Sequence, residues 1–440
     1  MFSSCRRLDE AQHVFNRLPN PNVFAWNEII LAHINLGQSE HAISLYKYMQ
    51  CSTAVKPDAH ILVTILKACA KAEDLKHGKY IHGHIIDKGL FENDLYVWST
   101  IMDMYSKCGE IENAQEVFDN LPERNLISWN AMISGYTQNG LGAEALKCFQ
   151  DMQNARVRPN AVTYICALKA CSIVRSINKG HEIYSEVSKR GWENDVCISS
   201  ALVDLSAKCG LLAEAQNVFA RLPVREIVSW NALMTGLVEH GHNEDALRCF
   251  HQIQEEDLRP DSVTYLCCLK VCGSTGNIDK GHEIHAEIAS EGLEGNMIVG
   301  TTLIDMYSNF GLIEKSYIVF EKLFVRDIVS WNTLIMGCVG HGNANSAMKY
   351  FDYMKLEGII PHIATFLSIL KACSSLGWID RGEEIHAEIH NRGLLVKANG
   401  IGSALVGMYS KCGVIEKAQK VFDAISLRDI VSWNALIAGY

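Results

Sequence analysis

The chain has 440 residues, of which 48% are hydrophobic and 20% charged, with a formal net charge of −10. It contains no run of about 18 apolar residues, so we expect no membrane span and a soluble chain. The acidic balance argues against a protein that holds nucleic acid by an excess of positive charge alone.

Tryptophan recurs along the chain in one short phrase. Trp26, Trp129, Trp230, Trp331 and Trp433 are separated by 103, 101, 101 and 102 residues, and the last four stand in the phrase Ser-Trp-Asn. A fixed long period indicates a solenoid, because each unit must bury its apolar face against the next one. We therefore predict one extended array of repeats.

Each period divides into three units, and each unit is predicted to form a helix, a tight turn, a second helix and an exit loop. In chain order, residues 1–22 supply the second helix of a short unit, residues 23–429 supply twelve whole units, and residues 430–440 begin a further unit. Because both ends cut through a repeat, we expect the chain to be an internal piece of a longer protein. The fold class predicted is all-α.

Unit 126–160 illustrates the pattern within one repeat. Ala145, Phe149 and Met152 fall at helical spacing after a break at Asn139-Gly140, so they are predicted to form the core face of a second helix. In the short units, one glycine is predicted to end each first helix in the left-handed conformation. These glycines are Gly109, Gly210, Gly311 and Gly413.

Cysteine occurs sixteen times, and many of its positions repeat with the units. One equivalent set is Cys69, Cys171, Cys272 and Cys373, and another is Cys108, Cys209 and Cys412. No pair has the Cys-x-x-Cys spacing typical of a zinc site. We predict small buried core thiols in a reducing compartment, and no bound metal.

Lysine also recurs in register. One set is Lys67, Lys169, Lys270 and Lys371, and a second set is Lys107, Lys208 and Lys411. A lysine repeated at one helical position forms either a basic stripe that can face an anionic ligand or an ordinary solvated helix face. Spacing alone leaves these alternatives open.

The unit lengths of 35 or 36 and 31 residues, with the phrases Trp-Asn-Ala-Leu-Ile, Leu-Lys-Ala-Cys and Met-Tyr-Ser-Lys-Cys-Gly, resemble plant organellar pentatricopeptide repeat proteins over essentially the whole chain. The ordered triplet is similar to the subfamily in which P, L and S units alternate. This resemblance implies a right-handed superhelix whose first helices line a groove for single-stranded RNA, one base per repeat. The fifth and last residues of a unit would choose the base, and the second residue would sandwich it.

Hydrogen-bonding chemistry explains how two residues could sort four bases. Uracil and guanine carry a ring N–H on the pairing edge, which suits an acceptor such as Asp as the last residue. Adenine and cytosine carry a bare ring nitrogen, which suits the amide donor of Asn. In the family resembled, a fifth-residue Asn goes with pyrimidines, and Ser or Thr goes with purines.

Carried onto this chain, the resemblance implies a base for six pairs of fifth and last residues. These are Asn27 with Asp58 for U, Ser99 with Asn125 for A, Asn130 with Asn160 for C or U, Asn231 with Asp261 for U, Thr301 with Asp327 for G, and Ser403 with Asp429 for G. Two pairs depart from the pattern and leave the base open. They are Ser200 with Glu226, a longer acid that can still accept from a purine N–H, and Asn332 with His362, whose ring can donate or accept. Asn434 is the fifth residue of the unit that begins at residue 430.

Other positions have roles implied by the same resemblance. The base-sandwiching residues would be Phe24, Ile127, Val228 and Val329. The L units carry Val63, Ile165, Leu266 and Leu367 at the fifth position, which lack hydrogen-bonding groups and would keep the register without reading a base. An alternative is that each Asn after Trp is only a helix cap. The change from Asn in P units to Ser or Thr in S units argues against that alternative.

Proteins that resemble this chain often carry a cytidine deaminase domain with a His-x-Glu and a Pro-Cys-x-x-Cys zinc motif. His285-Ala-Glu287 and His386-Ala-Glu388 match the first half, but no Cys-x-x-Cys completes a site. We therefore predict no catalytic residue, no cofactor and no enzyme activity for this chain.

The predicted function is sequence-specific binding of single-stranded RNA in a mitochondrion or chloroplast, positioning transcripts for C-to-U editing. Editing cofactors or a deaminase acting in trans are the further partners implied, and the chain is expected to be a monomer. The alternatives are a protein-binding helical scaffold or an RNA stability or processing factor.

Overall fold

The computed structural model describes residues 8–52, 55, 57–87, 94–397, 399–425 and 428–440. Across these residues every regular element is an α-helix. The helices are α1 (Leu8–Asn16), α2 (Val23–Asn35), α3 (Ser39–Ser52), α4 (Ala59–Ala72), α5 (Leu75–Asp87), α6 (Leu95–Lys107), α7 (Ile111–Asp119), α8 (Leu126–Gln138), α9 (Gly142–Asn154), α10 (Ala161–Ile173), α11 (Ile177–Lys189), α12 (Val196–Lys208), α13 (Leu212–Ala220), α14 (Ile227–Glu239), α15 (Asn243–Glu255), α16 (Ser262–Thr275), α17 (Ile278–Ser290), α18 (Met297–Asn309), α19 (Ile313–Glu321), α20 (Ile328–Gly340), α21 (Ala344–Leu356), α22 (Ile363–Leu376), α23 (Ile379–Asn391), α24 (Leu394–Lys397), α25 (Asn399–Lys411), α26 (Ile415–Ala424) and α27 (Ile430–Gly439).

The predicted all-α fold is confirmed for the described part of the chain, and the helices follow one another in the order that the repeat pattern requires. The P units are 23–58, 126–160, 227–261 and 328–362; the L units are 59–94, 161–195, 262–296 and 363–398; the S units are 95–125, 196–226, 297–327 and 399–429. Second helices of S units have only nine or ten residues, against thirteen or fourteen in the other units. The four-residue α24 was not predicted. It forms where Leu395 and Val396 stand in place of Glu193-Asn194 and Glu294-Gly295, the equivalent residues of two other L-unit exits.

The chain comprises two compact units, Met1–Gly236 and Leu237–Tyr440. In each of them the core lies between neighbouring helix pairs. The predicted core face of α9 is confirmed, since Ala145, Phe149 and Met152 are all buried. The four glycine stops are also confirmed, because each has a φ between 73° and 80°.

Where an S unit meets a P unit, the recurring tryptophan packs edge-on against a phenylalanine of the preceding second helix. The ring centroids of Phe118 and Trp129 are 4.9 Å apart, and those of Phe320 and Trp331 are 4.4 Å apart. The guanidinium of an exit-loop arginine covers the phenylalanine, as Arg326 does at 5.1 Å from the Phe320 ring centroid. Such aromatic pairs add to the stabilisation from burial alone. This contact explains why tryptophan marks the period.

Where an L unit meets an S unit, a histidine of the second helix usually contacts a tyrosine of the next first helix. The distance between His82 Nδ1 and the Tyr105 hydroxyl is 2.8 Å, and that between His386 Nδ1 and the Tyr409 hydroxyl is 2.9 Å. The S unit 196–226 has Ser206 at the tyrosine position, and its hydroxyl donates to Glu214 at 3.4 Å. The S-to-P and L-to-S junctions therefore use different polar and aromatic contacts.

Of the two recurring cysteine sets, the first is buried as predicted, whereas Cys108, Cys209 and Cys412 of the second set are only partly buried. Cys69, Cys171, Cys272 and Cys373 are fully buried, and burial raises the pKa of Cys69 and Cys171 to about 12. Every cysteine among the described residues is a free thiol, and Cys5 lies outside that range. No helix in the described ranges is both long enough and apolar enough to cross a bilayer.

Candidate functional site

The last residue of a unit is the N-cap of the next first helix. The Asp58 carboxylate accepts from the Ile61 N–H, the Asn160 amide oxygen from the Thr163 N–H, and Asp327 from the Ser330 N–H, at 2.8–3.0 Å. The same capping position is occupied by Asn125, Asp261, His362 and Asp429. The capping alternative is therefore wrong for the Asn after Trp, which lies one turn inside the helix. It holds for the last residue instead, because that residue comes directly before the helix.

The junction between P unit 126–160 and L unit 161–195 brings the predicted reading pair together. Asn130 Nδ2 donates to Asn160 Oδ1 at 3.1 Å. The Thr163 hydroxyl, from the third residue of the L unit, lies 2.6 Å from Asn130 Oδ1. It also accepts from the Asn160 N–H at 3.1 Å, which completes a capping box. Three side chains from two repeats thus form one closed hydrogen-bonded cluster.

The pair Asn332 and His362, which departs from the pattern in sequence, adopts the same arrangement. Thr365 donates its hydroxyl to Asn332 Oδ1 at 2.6 Å, and Asn332 Nδ2 lies 3.2–3.3 Å from the ring nitrogens of His362. His362 Nδ1 accepts from the Thr365 N–H at 3.4 Å, as a cap does. A ring nitrogen that accepts a hydrogen bond carries no proton. His362 Nδ1 therefore takes the capping role that the side-chain oxygen of an Asp or Asn has at other junctions.

The first P-to-L junction differs in one residue. Unit 59–94 has Ile61 at the third position, which has no hydroxyl. Thr64, one turn further along, lies 3.2 Å from Asn27 Oδ1, but its hydroxyl has a shorter contact of 2.7 Å to the His60 carbonyl. The amide of Asn27 is therefore held more loosely than that of Asn130.

Fifth residues of S units mostly bond within their own helix. The hydroxyls of Ser99, Ser200 and Thr301 donate to the carbonyls of Tyr96, Val196 and Met297 at 2.6–2.9 Å. Ser403 instead donates to Asp429 Oδ1 at 3.0 Å. Hydrogen bonds to Asp429, first from the Ser432 backbone N–H, hold the pKa of its carboxyl below its usual range. Its carboxylate is thus an acceptor-only group at neutral pH.

The structure also places four other predicted residues. Asn231 is buried in α14, and Asn434 is exposed on α27. The backbone carbonyl of Glu226 accepts from the backbone N–H groups of Ser229 and Trp230. Asp261 caps α16 through the Thr264 N–H at 3.0 Å.

The second and fifth residues share one helix face but differ in exposure. The fifth residues are mostly buried between neighbouring helices, with Asn27 only 5% exposed and Asn332 only 6% exposed. The predicted sandwiching residues Phe24, Ile127, Val228 and Val329 are 51–70% exposed. Sequence reasoning missed the apolar second residues of other units, although counting to the second position of every unit would have identified them. These exposed apolar equivalents are Tyr96, Val162, Val263, Ile298 and Val431.

The L-unit lysines are on the same helix face as the second and fifth residues, since the ninth residue follows the fifth by one turn. Lys67 Nζ lies 2.8 Å from the hydroxyl of Tyr96, the second residue of the next unit, and 5.3 Å from its ring centroid. Lys169 and Lys371 are exposed. This row supports the basic-stripe alternative.

The S-unit lysines have a different environment. Lys107 pairs with Asp103 at 2.8 Å and Lys208 with Asp204 at 3.1 Å, each one turn back on the same helix. Unit 399–429 has Gly407 at the place of these aspartates, so Lys411 has no acidic residue there. Two of the three S-unit lysines therefore form ion pairs within their own helix.

The His-x-Glu segments take part in contacts between helices. The His285 ring bonds to the Tyr307 hydroxyl at 2.7 Å through Nδ1 and to Glu294 at 2.8 Å through Nε2. Glu287 accepts from Gln254, and Glu388 pairs with Lys355. No group of three His, Cys, Asp or Glu side chains in the described part of the chain could hold a metal ion.

Comparison with known proteins gives consistent matches. A profile described as the PPR repeat family matches residues 124–173, 225–274 and 326–375, and one described as PPR repeat matches 24–52, 96–126, 301–328 and 364–394. In Arabidopsis thaliana, the pentatricopeptide repeat-containing protein At4g18520, chloroplastic, is 32% identical over all of this chain, which spans 71% of that relative. The mitochondrial protein At3g02330 is also 32% identical, and the chain spans 50% of its length.

Among solved structures, the chain is similar to the pentatricopeptide repeat protein PPR10 from maize in complex with an 18-nt psaJ RNA element. The TM-score is 0.60 at 20% identity, over 98% of this chain and 63% of that one. At this identity the likeness concerns the fold.

Proposed function

This chain belongs to the pentatricopeptide repeat family, and from that premise we propose that it is a sequence-specific binder of single-stranded RNA. The bases would be read by the fifth and last residues of the P and S units, one base per unit, and the exposed second residues would lie against the base faces. Stacking of bases on apolar or aromatic side chains is a general means of holding single strands.

One observation carries the proposal: the cap contact uses one polar atom of the last residue and leaves the other for a base. Asn160 Oδ1 accepts from Thr163 and Asn130, which leaves the amide N–H groups of Asn160 to donate. Asp429 Oδ1 accepts from Ser403 and Ser432, which leaves the second carboxylate oxygen to accept. A free donor matches the bare ring nitrogen of cytosine or adenine, and a free acceptor matches the ring N–H of uracil or guanine.

We further propose the finer assignments that the alternation of units supports. The short second helix in every third unit supports membership of the subfamily with alternating P, L and S units. Relatives named chloroplastic and mitochondrial support an organellar location. Within that setting, the chain would act as a monomer that positions a transcript for C-to-U editing by a deaminase acting in trans or on a longer form of the protein.

Selection from a random pool of single-stranded RNA tests the proposal. The chain is mixed with the pool at low salt, the bound fraction is collected on a filter, and its sequence is determined. We expect enrichment of A or G at the positions read by S units, and of U or C at those read by P units. Absence of any retained RNA would instead favour a protein-binding scaffold. Retention without enrichment would contradict sequence-specific reading.

The editing role needs a separate measurement. A transcript that contains the enriched sequence upstream of a cytidine is incubated with the chain and a deaminase domain of the family supplied in trans. Conversion to uridine at one cytidine supports positioning for editing. Binding without conversion at any cytidine would favour a role in RNA stability or processing.

A further inference from the structure

We propose that the threonine at the third position of two L units, Thr163 and Thr365, is a specificity-determining residue that fixes the amide orientation of the fifth-residue Asn in the preceding P unit. The inference rests on the proposed function, since it explains how that Asn selects a pyrimidine. It adds a third residue, from the neighbouring repeat, to each reading pair at these junctions.

The orientation of the Asn160 amide determines that of the Thr163 hydroxyl, which in turn determines that of the Asn130 amide. Asn160 must present Oδ1 to the Thr163 backbone N–H at 3.0 Å, because only an oxygen can accept there. The Thr163 hydroxyl accepts from the Asn160 backbone N–H at 3.1 Å and lies closer to Asn130 Oδ1, at 2.6 Å, than to Asn160 Oδ1, at 2.9 Å. Its single proton therefore goes to Asn130 Oδ1. A flipped Asn130 amide would instead place Oδ1 against Asn160 Oδ1, two acceptors 3.1 Å apart.

The same order of contacts occurs in the second compact unit with a different cap. His362 Nδ1 accepts from the backbone N–H of Thr365. The Thr365 hydroxyl accepts from the backbone N–H of His362 at 3.1 Å and donates its proton to Asn332 Oδ1 at 2.6 Å. Thr365 Oγ1 and Asn332 Oδ1 are both buried. The arrangement thus survives the replacement of Asn by His, and the threonine is the constant member.

A fixed amide has a direct consequence for base choice. With Oδ1 held by the threonine, Asn130 can offer a base only the remaining N–H of Nδ2. Next to the ring nitrogen that the last residue contacts, pyrimidines carry the acceptor O2, adenine a C–H and guanine an N–H donor. A donor at this point therefore favours a pyrimidine, whereas a flipped amide carbonyl would accept from guanine. The hydroxyl of Thr163 would in this way disfavour purines through its effect on Asn130, without itself contacting the base.

Selection from random RNA with three variants tests this inference. Asn130→Ser first identifies the RNA position that Asn130 reads. In Thr163→Val, which keeps the side-chain shape, we expect the preference for pyrimidine over purine at that position to fall about threefold to tenfold, the equivalent of one hydrogen bond. Preferences elsewhere should not change. Thr163→Ser, which restores the hydroxyl, should recover most of the preference.

A matched control separates this effect from loss of a helix cap. Ser330 completes a capping box with Asp327 in the same way, but its hydroxyl donates to the Asp327 carbonyl at 2.9 Å and not to a fifth residue. Ser330→Ala should lower the thermal midpoint about as much as Thr163→Val and leave every base preference unchanged. An unchanged preference in Thr163→Val, or an equal loss at all RNA positions, would overturn the inference. If wild-type protein enriches no sequence, the proposed function fails before this question arises.

Discussion

The junctions from P to L units and those from S to P units share one backbone arrangement and use it differently. At both, the last residue caps the next helix, and a hydroxyl residue stands at the third position except in the first P and L units, which have Ala25 and Ile61 there. At the P-to-L junction the Thr163 hydroxyl reaches back to Asn130 Oδ1, while at the S-to-P junction the Ser330 hydroxyl stays with the Asp327 carbonyl. The fifth residue decides the outcome. The Asn side chain is long enough for its amide oxygen to accept from a residue of the next unit. The hydroxyl of Thr301 instead donates to the Met297 carbonyl of its own helix.

The largest expected effect removes the aromatic contact that distinguishes S-to-P junctions. Trp331 is 2% exposed, packs on Phe320 and donates from its indole N–H to Glu357 at 3.2 Å. Trp331→Ala should destabilise the local repeats by about 3–5 kcal/mol, because it empties a buried aromatic site. Thermal unfolding followed by circular dichroism measures the change. Trp378, at the start of α23, is 44% exposed, so Trp378→Ala should have a much smaller effect. Equal effects would contradict this account.

A second change tests base choice at an S-to-P junction. Asp327→Asn should shift one RNA position from G towards A by about 1 kcal/mol, the net value of one hydrogen bond. Asn is as good an N-cap as Asp, so α20 should keep its stability. The affinities of wild type and variant for two oligonucleotides that differ only at that base give the result. If both proteins bind both oligonucleotides equally, this pair does not read the base.

The two lysine rows make a third comparison. Lys169 is exposed on the face of the second and fifth residues, whereas Lys208 is paired with Asp204. Lys169→Gln should lower the slope of log affinity against log salt by about 0.7, the value for one phosphate contact on single-stranded nucleic acid. Lys208→Gln should change that slope less. A titration of RNA binding over several salt concentrations decides between them, and equal slopes would assign the Lys169 row to ordinary solvation.

The smallest expected effect concerns the histidines of the L-to-S junctions. Burial, with the charges of His390 and Lys417, lowers the pKa of His386, while Glu383 opposes the shift. Because the unfolded chain then binds the proton more readily, the stabilisation is complete above about pH 6.5 and is lost as the pH falls towards the lowered pKa. His386→Gln should therefore reduce the fall in thermal midpoint between about pH 7.5 and pH 5. His13→Gln, at an exposed site, is the control and should not reduce it.

Much of the fold could be predicted because its causes are local in sequence. Gly109 and its equivalents end their helices, Phe149 faces the core, and Cys171 is buried, all as the spacing predicted. The extra turn α24 was missed, since exit loops have no periodic pattern to read. The pairs of fifth and last residues came from a family resemblance. The side chains of Asn130 and Asn160, of Asn332 and His362, and of Ser403 and Asp429 are in hydrogen-bond contact only because units stack.

The period, the helix pairs and the positions that share a helix face follow from the amino-acid sequence, because each depends on neighbours within a turn or two. The packing of the repeats was needed to show that Thr163 rather than Thr64 has the short contact to the preceding Asn, that the last residue is a cap, and that Lys208 is paired with Asp204. The contact between Thr163 and Asn130 joins residues 33 positions apart. Its geometry depends on how two repeats pack and on which side chain is long enough to cross between them.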